Sequence, residues 1–219
     1  NSTFRKIFKE NKHYGIQVYI GSILSVALSY LAGMTLGIYS TNNIDVGYFT
    51  LASTIASPLS LLPSIIGTSY YRDFAKQYNI NQNLIKFTIV ISIISLIIFI
   101  LIIHPLVEML YQESYKVVAK YASLLACGMS IHGLGDMFNR FLGAHAKGKE
   151  MRNGAIGCGI MLLIGNSILV YLWGIYGAIV TRILASIIYA FTMIYYYLKS
   201  ISVIPHKEEM QKNKWRELK

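Results

Sequence analysis

The stretch that decides the fold is LIKFTIVISIISLIIFILII, residues 84–103, in which Lys86 is the only charged side chain. A helix needs about 20 mostly apolar residues to cross the hydrocarbon core of a bilayer. A soluble core helix of this length would carry a polar face, and this stretch carries none. The sequence therefore predicts a membrane-spanning helix here.

The composition of the whole chain supports the same interpretation. The mean hydropathy is +0.48 and 14% of the residues are charged, whereas soluble domains carry about 25%. Apolar runs separated by short polar connections predict an all-α integral membrane protein with six transmembrane helices within residues 14–199. The predicted helices cover roughly 14–39, 48–70, 84–103, 118–142, 155–173 and 178–198.

The distribution of basic residues predicts the orientation. Seventeen of the twenty Lys and Arg residues lie on one side of the predicted helices. They fall in the segment 1–13, in or beside the connections that follow the second and fourth helices, and in the tail 200–219 with Lys199 before it. Because cytoplasmic loops carry the positive excess, both termini are expected in the cytoplasm. The net charge of +10 is then explained by contact with anionic lipid headgroups rather than by nucleic-acid binding.

Two spans carry rows of small or hydroxyl residues. The first has Gly21, Ser25, Ser29, Gly33 and Gly37 at i, i+4 spacing. Such a row fits a close helix–helix contact or the wall of a water-filled cavity.

The second span has a row of hydroxyl residues, interrupted by Pro58 and Pro63. The serines are 53, 57, 60 and 64, and the threonines are 50, 54 and 68. Prolines kink a membrane helix, and kinked polar helices line the sites of transporters. Cavity lining, with Ser57 and Ser60 central, and structural packing both fit this row.

Ionisable residues inside spans are costly and point to function. His132, Asp136 and Arg140 lie on one face of the fourth span, where Asp136 and Arg140 are expected to pair. The alternatives for this face are an interfacial ion pair and a polar stripe facing a cavity. Arg182 in the sixth span either reaches the interface or binds an anion in the lumen, and Asn166 is expected to form an interhelical hydrogen bond.

Four motifs resemble Wzx-type polysaccharide flippases of the multidrug/oligosaccharidyl-lipid/polysaccharide exporter superfamily. They are DVGYFTLA at 45–52, YRDFAK at 71–76, NRFLGAHAKGK at 139–149 and GIYGA at 174–178. The resemblance implies one six-helix lobe of a MATE-like two-lobe transporter, namely the C-terminal lobe, with the N-terminal lobe missing. An initial Asn in place of Met fits a fragment or a processed product.

The resemblance also implies a function. The substrate would be an oligosaccharide repeat unit on undecaprenyl pyrophosphate, moved across the bacterial cytoplasmic membrane for surface polysaccharide (O-antigen) biosynthesis. Arg182 and Arg140 would contact the pyrophosphate. Independently of the resemblance, a fourth-span face that lines a cavity would let Arg140 touch a phosphate or let Asp136 and His132 exchange protons, and Ser57 and Ser60 would be further substrate contacts.

Other functions stay open. A cation-coupled multidrug exporter of the same superfamily would need a lone carboxylate deep in the lobe, whereas Asp136 has a potential partner. A membrane-embedded polysaccharide polymerase or acyltransferase would need larger loops or acid/base clusters than are present, so we expect no enzyme activity. Cys127 and Cys158 both lie in predicted spans, which argues against a disulfide framework, and no metal or cofactor is expected.

Overall fold

The computed structural model describes residues 11–39 and 43–217, without the side chains of residues 12, 13, 24, 25 and 203–217. The predicted cytoplasmic segment 1–13 and the basic tail 200–219 therefore lie largely outside the described side chains. Every regular element of the described residues is helical. The α-helices are α1 (Ile16–Ser29), α2 (Leu31–Tyr39), α3 (Ile44–Ala56), α4 (Pro58–Ser69), α5 (Tyr71–Phe74), α6 (Gln82–Leu110), α7 (Lys116–Ala144) and α8 (Gly148–Glu217).

Five stretches of the described residues are long and apolar enough to cross a membrane. Consecutive helices form two of these stretches, α1 with α2 and α3 with α4. The five stretches are Ile16–Tyr39, Ile44–Ser69, Gln82–Leu110, Glu113–Ala144 and Gly148–Ser202. The prediction of an all-helical architecture with several helices long and apolar enough to cross a membrane is confirmed.

The break between α3 and α4 follows from the proline predicted to kink this segment. Pro58 has no N–H to donate to the carbonyl of Thr54, which a regular helix would require. The Ser57 hydroxyl donates to that carbonyl instead, at 2.9 Å, and the Ser57 N–H donates to the Ser53 carbonyl at 3.0 Å. A side-chain hydroxyl thus satisfies the group that the proline frees.

The last stretch is a single run of helix with one break at Gly174. Gly174 has φ 55° and ψ −131°, a conformation that only glycine adopts readily. A Cβ on Gly165 would lie 2.5 Å from Thr181, and one on Gly157 would lie 3.5 Å from Ile188. The two arms of α8, 148–173 and 175–217, therefore lie antiparallel to each other.

Helix α7 occupies the centre of the bundle, in contact with α3, α4, α6 and α8. Glycines allow these close contacts, and Gly133 shows it best. A Cβ at Gly133 would lie 2.6 Å from the carbonyl oxygen of Ser60 on α4, closer than van der Waals contact permits. A small residue at an interface lets two helix backbones approach in a membrane.

Candidate functional site

Two adjoining cavities lie inside the bundle and meet at Arg182. The first cavity, of about 310 Å³, lies between α1, α7 and both arms of α8. The second, of about 450 Å³, lies between the α1–α2 junction, α3, α7 and α8. Ser29, Leu162 and Arg182 line both. The polar side chains of the first cavity are Ser22, Ser29, His132, Asp136, Asn139, Arg152, Arg182 and Tyr189.

Arg182 has no anionic partner among the described residues. One of its terminal nitrogens lies 4.0 Å from the sulfur of Met129, a weak acceptor. Its Nε is buried and has no hydrogen-bond partner, and no carboxylate of the described chain lies within 4.0 Å of its guanidinium. A partly buried guanidinium without a counter-charge is unfavourable, so an anion in either cavity would be stabilised.

Asp136 is held by Tyr189, not by the arginine that the helical spacing suggests. The Tyr189 hydroxyl donates a hydrogen bond of 2.8 Å to Asp136 Oδ1. The ring of His132 stacks on the Tyr189 ring, with centroids 4.4 Å apart, and His132 Nδ1 is buried without a hydrogen-bond partner. His132, Asp136 and Tyr189 thus form one cluster at the wall of the first cavity.

The expected pair between Asp136 and Arg140 does not form. Arg140 donates to the Ser64 hydroxyl of α4 at 3.3 Å. The α4 and α8 helices pack on different sides of α7, and each takes one member of the predicted pair. Arg182 lines both cavities and Arg140 lines neither. The two arginines that were predicted to contact the same anion therefore do not share a cavity.

Arg152 supplies a second cation to the first cavity, which the sequence interpretation did not include. Its terminal nitrogens donate to amide oxygens, those of Gln17 and Asn153, and its Nε is buried and unpaired. The sequence places Arg152 in the connection between the fourth and fifth predicted helices, which end at 142 and begin at 155. The first cavity is thus lined by two guanidinium groups, of Arg152 and Arg182, and by one carboxyl group, of Asp136.

The hydroxyl row of the second span divides at the Pro58 break. Thr50, Ser53, Thr54 and Ser57 line the second cavity. Ser60 lies outside both cavities, where its hydroxyl donates to the Ser57 carbonyl at 2.8 Å. Both interpretations of the row therefore apply, cavity lining before the break and packing after it.

Asn166 differs from its prediction. It lines the second cavity beside Arg182 and is 1% exposed. Neither its amide nitrogen nor its amide oxygen has a hydrogen-bond partner in the described part of the protein. Because buried polar groups in proteins are nearly always paired, Asn166 is available to a polar ligand or to water.

The row of small residues on the first span also serves two purposes. Gly21 packs against α8, where a Cβ on Gly21 would lie 3.4 Å from the Arg152 backbone. Gly21 also lines the first cavity, together with Ser29. Gly33 lines the second cavity, and the Ser25 side chain lies outside the described residues. Of the six predicted site residues, four line the cavities: Arg182, Asp136, His132 and Ser57.

The fold and these cavities together define a helical bundle of membrane type, with a polar interior and an unpaired arginine at its centre. Comparisons with models of protein families, with curated proteins and with solved structures find no match for this chain.

Proposed function

We propose that the chain is one six-span lobe of a two-lobe membrane transporter of the MATE-like type, with both termini in the cytoplasm. Six spans follow if each arm of α8 crosses the bilayer once, on either side of the break at Gly174. The antiparallel packing of the two arms supports this count. The second lobe would be the N-terminal one that the resemblance implies.

The proposed function is translocation of undecaprenyl-pyrophosphate-linked oligosaccharide repeat units across the bacterial cytoplasmic membrane, in the manner of Wzx-type flippases. The observation that carries this proposal is Arg182, a guanidinium without an anionic partner that is shared by two cavities with polar side chains in their walls. A pyrophosphate needs cationic hydrogen-bond donors to leave water, since burial of an unpaired charge is very unfavourable. The planar donor fork of arginine suits phosphate oxygens.

The other residues of the cavities support the same substrate. Arg152 gives the first cavity its positive excess. The hydroxyls of Ser53 and Ser57 and the amide of Asn166 offer donors and acceptors to sugar hydroxyls near the anion. A cavity with these properties would replace the hydration of a charged, polyhydroxylated headgroup.

The experiment is complementation with the complete transporter in a bacterial host that lacks its own flippase. Wild type is expected to restore surface polysaccharide, and Arg182→Gln is expected to abolish it at an equal level of membrane protein. Arg140→Gln is the matched control, because Arg140 is an arginine of the same bundle that lines neither cavity. Loss with both variants, or with neither, would contradict the assignment of Arg182.

A second candidate is the cation-coupled multidrug exporter, favoured by one observation. Asp136 lines the first cavity without a cationic partner within 4.0 Å among the described residues. A carboxylate in this position would attract cationic drugs. If wild type confers drug resistance and restores no polysaccharide, with resistance lost in Asp136→Asn, this function replaces the flippase.

A further inference from the structure

A third pocket, which we call the end pocket, lies at one end of the bundle. It has a volume of about 810 Å³ and lies between the start of α3, the end of α6 and the 3-10 turn Glu113–Tyr115 that precedes α7. None of the described residues that line it belongs to the two inner cavities. It is therefore a separate site, of the size that ligand pockets usually have.

Three tyrosines surround the end pocket in a fixed arrangement. The ring of Tyr115 lies 5.6 Å from that of Tyr48 and 5.5 Å from that of Tyr111, between centroids. The Tyr48 hydroxyl donates to the Ser114 carbonyl at 2.8 Å, which ties the connecting loop to α3. The aromatic surface is thus held in place before any ligand arrives.

Two of these tyrosines, Tyr48 and Tyr115, differ in burial from the aromatic residues that a membrane interface alone explains. Tyrosine and tryptophan are enriched at the headgroup level of membrane proteins. Tyr171 and Trp173, near the Gly174 break, fit this pattern because they are 69% and 58% exposed. Tyr48 and Tyr115, in contrast, are partly buried and turn toward each other around a cavity.

The two amide side chains of the end pocket, those of Asn43 and Gln112, are neutral and form no capping hydrogen bond. Asn43 precedes α3 and Gln112 precedes the 3-10 turn, yet neither side chain forms the capping hydrogen bond that its position allows. The neighbouring Glu113 carboxylate accepts from Lys116 Nζ at 2.8 Å, so this charge is paired outside the pocket. Among the described residues, no charged side chain lines it.

We propose that the end pocket binds an uncharged saccharide. A pyranose ring has apolar C–H faces that pack on aromatic rings, and hydroxyl edges that need both donors and acceptors, as amides provide. An ionic ligand would lack a counter-charge in the end pocket, and a purely apolar one would bury two amides without partners. The inference rests on the proposed function only for the source of the saccharide, which would be the glycan of the transported lipid.

The test is saturation-transfer NMR on the purified full chain in nanodiscs, with N,N′-diacetylchitobiose and lactose as neutral probes. Transfer to the pyranose C–H protons is expected for at least one probe, with affinity reduced at least about tenfold in Tyr111→Leu, since aromatic side chains often carry much of a binding energy. Gln112→Ala, on an exposed loop, is expected to weaken binding without a risk to folding. Tyr171→Leu is the matched control and is expected to bind as wild type does.

Absence of transfer with both probes would overturn the inference, as would transfer that neither Tyr111→Leu nor Gln112→Ala changes. Either of these negative results leaves the proposed function intact if complementation succeeds. Saccharide binding by a protein that fails to restore polysaccharide would support the end pocket and reject the flippase. Arg182→Gln is expected to abolish complementation and to leave saccharide binding unchanged, because Arg182 lies outside the end pocket.

Discussion

Helices α6 and α7 have the same length, 29 residues each, and opposite surroundings. The span of α6 has a mean hydropathy of 2.9, against 1.3 for the span that contains α7. Yet only four residues of α6 are buried in the protein, whereas sixteen of α7 are. In water the more apolar helix would be the buried one; this reversal is what a bilayer imposes, because lipid solvates leucine and isoleucine as well as a protein interior does.

The polar residues of the two helices show the same difference. The buried hydroxyls of α6, on Thr88 and Ser92, donate to carbonyls of their own helix at 2.8 and 2.7 Å. In α7, Asp136 accepts from Tyr189 of α8 and Arg140 donates to Ser64 of α4. Asp136 and Arg140 of α7 therefore connect it to other helices, whereas the two buried hydroxyls of α6 bond within α6.

The largest effect on the stability of the bundle is expected from Gly133→Leu in α7. The new Cβ alone would lie 2.6 Å from the Ser60 carbonyl oxygen, and backbone atoms cannot move aside as a flexible side chain can. Overpacking costs about 1–3 kcal/mol and more in some cases, and this contact is with backbone, so the purified protein should not elute as a single peak. Ile97→Ala on the lipid face of α6, where Ile97 is 53% exposed, is the control and should elute as wild type does.

A charge placed on the lipid face of α6 is expected to have the next largest effect. Ile97→Asp should reduce membrane insertion, because an aspartate at a helix centre costs about 2.5–3.5 kcal/mol. The measurement is the inserted fraction of the chain in a translocation assay with engineered glycosylation sites. Asp136→Leu should insert at least as well as wild type, and equal insertion of both variants would remove the distinction between the two helices.

A smaller effect is expected from single hydroxyl deletions. Tyr189→Phe removes the hydrogen bond to the Asp136 carboxylate and should lower the free energy of unfolding by about 1–2 kcal/mol. Thr88→Val removes a bond within one helix and should change it by less than about 0.5 kcal/mol. Steric trapping or denaturation in mixed micelles measures both. A larger loss for Thr88→Val than for Tyr189→Phe would contradict the connecting role of α7.

The sequence was sufficient for an all-helical architecture with long apolar helices and for four of the six residues placed at the cavities. The long apolar run of α6 and the prolines of the second span act locally, so their consequences could be predicted. The pairing of Asp136 with Arg140 was wrong because spacing along one helix does not reveal which neighbouring helix takes each side chain. Arg152 and the unpaired Asn166 were not recognised as cavity residues, since only the packing of α1 and α2 against α8 brings these elements together.

Thiol accessibility tests the central claim most directly, namely that a polar, electropositive cavity lies behind the lipid-facing surface. Cysteines would be introduced at Ser53, in the second cavity, and at Ile97, on α6, in a chain with Cys127 and Cys158 replaced by alanine. We predict that Ser53→Cys reacts with membrane-impermeant methanethiosulfonates, faster with the anionic than with the cationic reagent, and that Arg182→Gln removes this preference. Ile97→Cys should not react, since a thiol in lipid does not ionise. An unreactive Ser53→Cys, equal labelling at both positions, or a charge preference that survives Arg182→Gln would contradict the account.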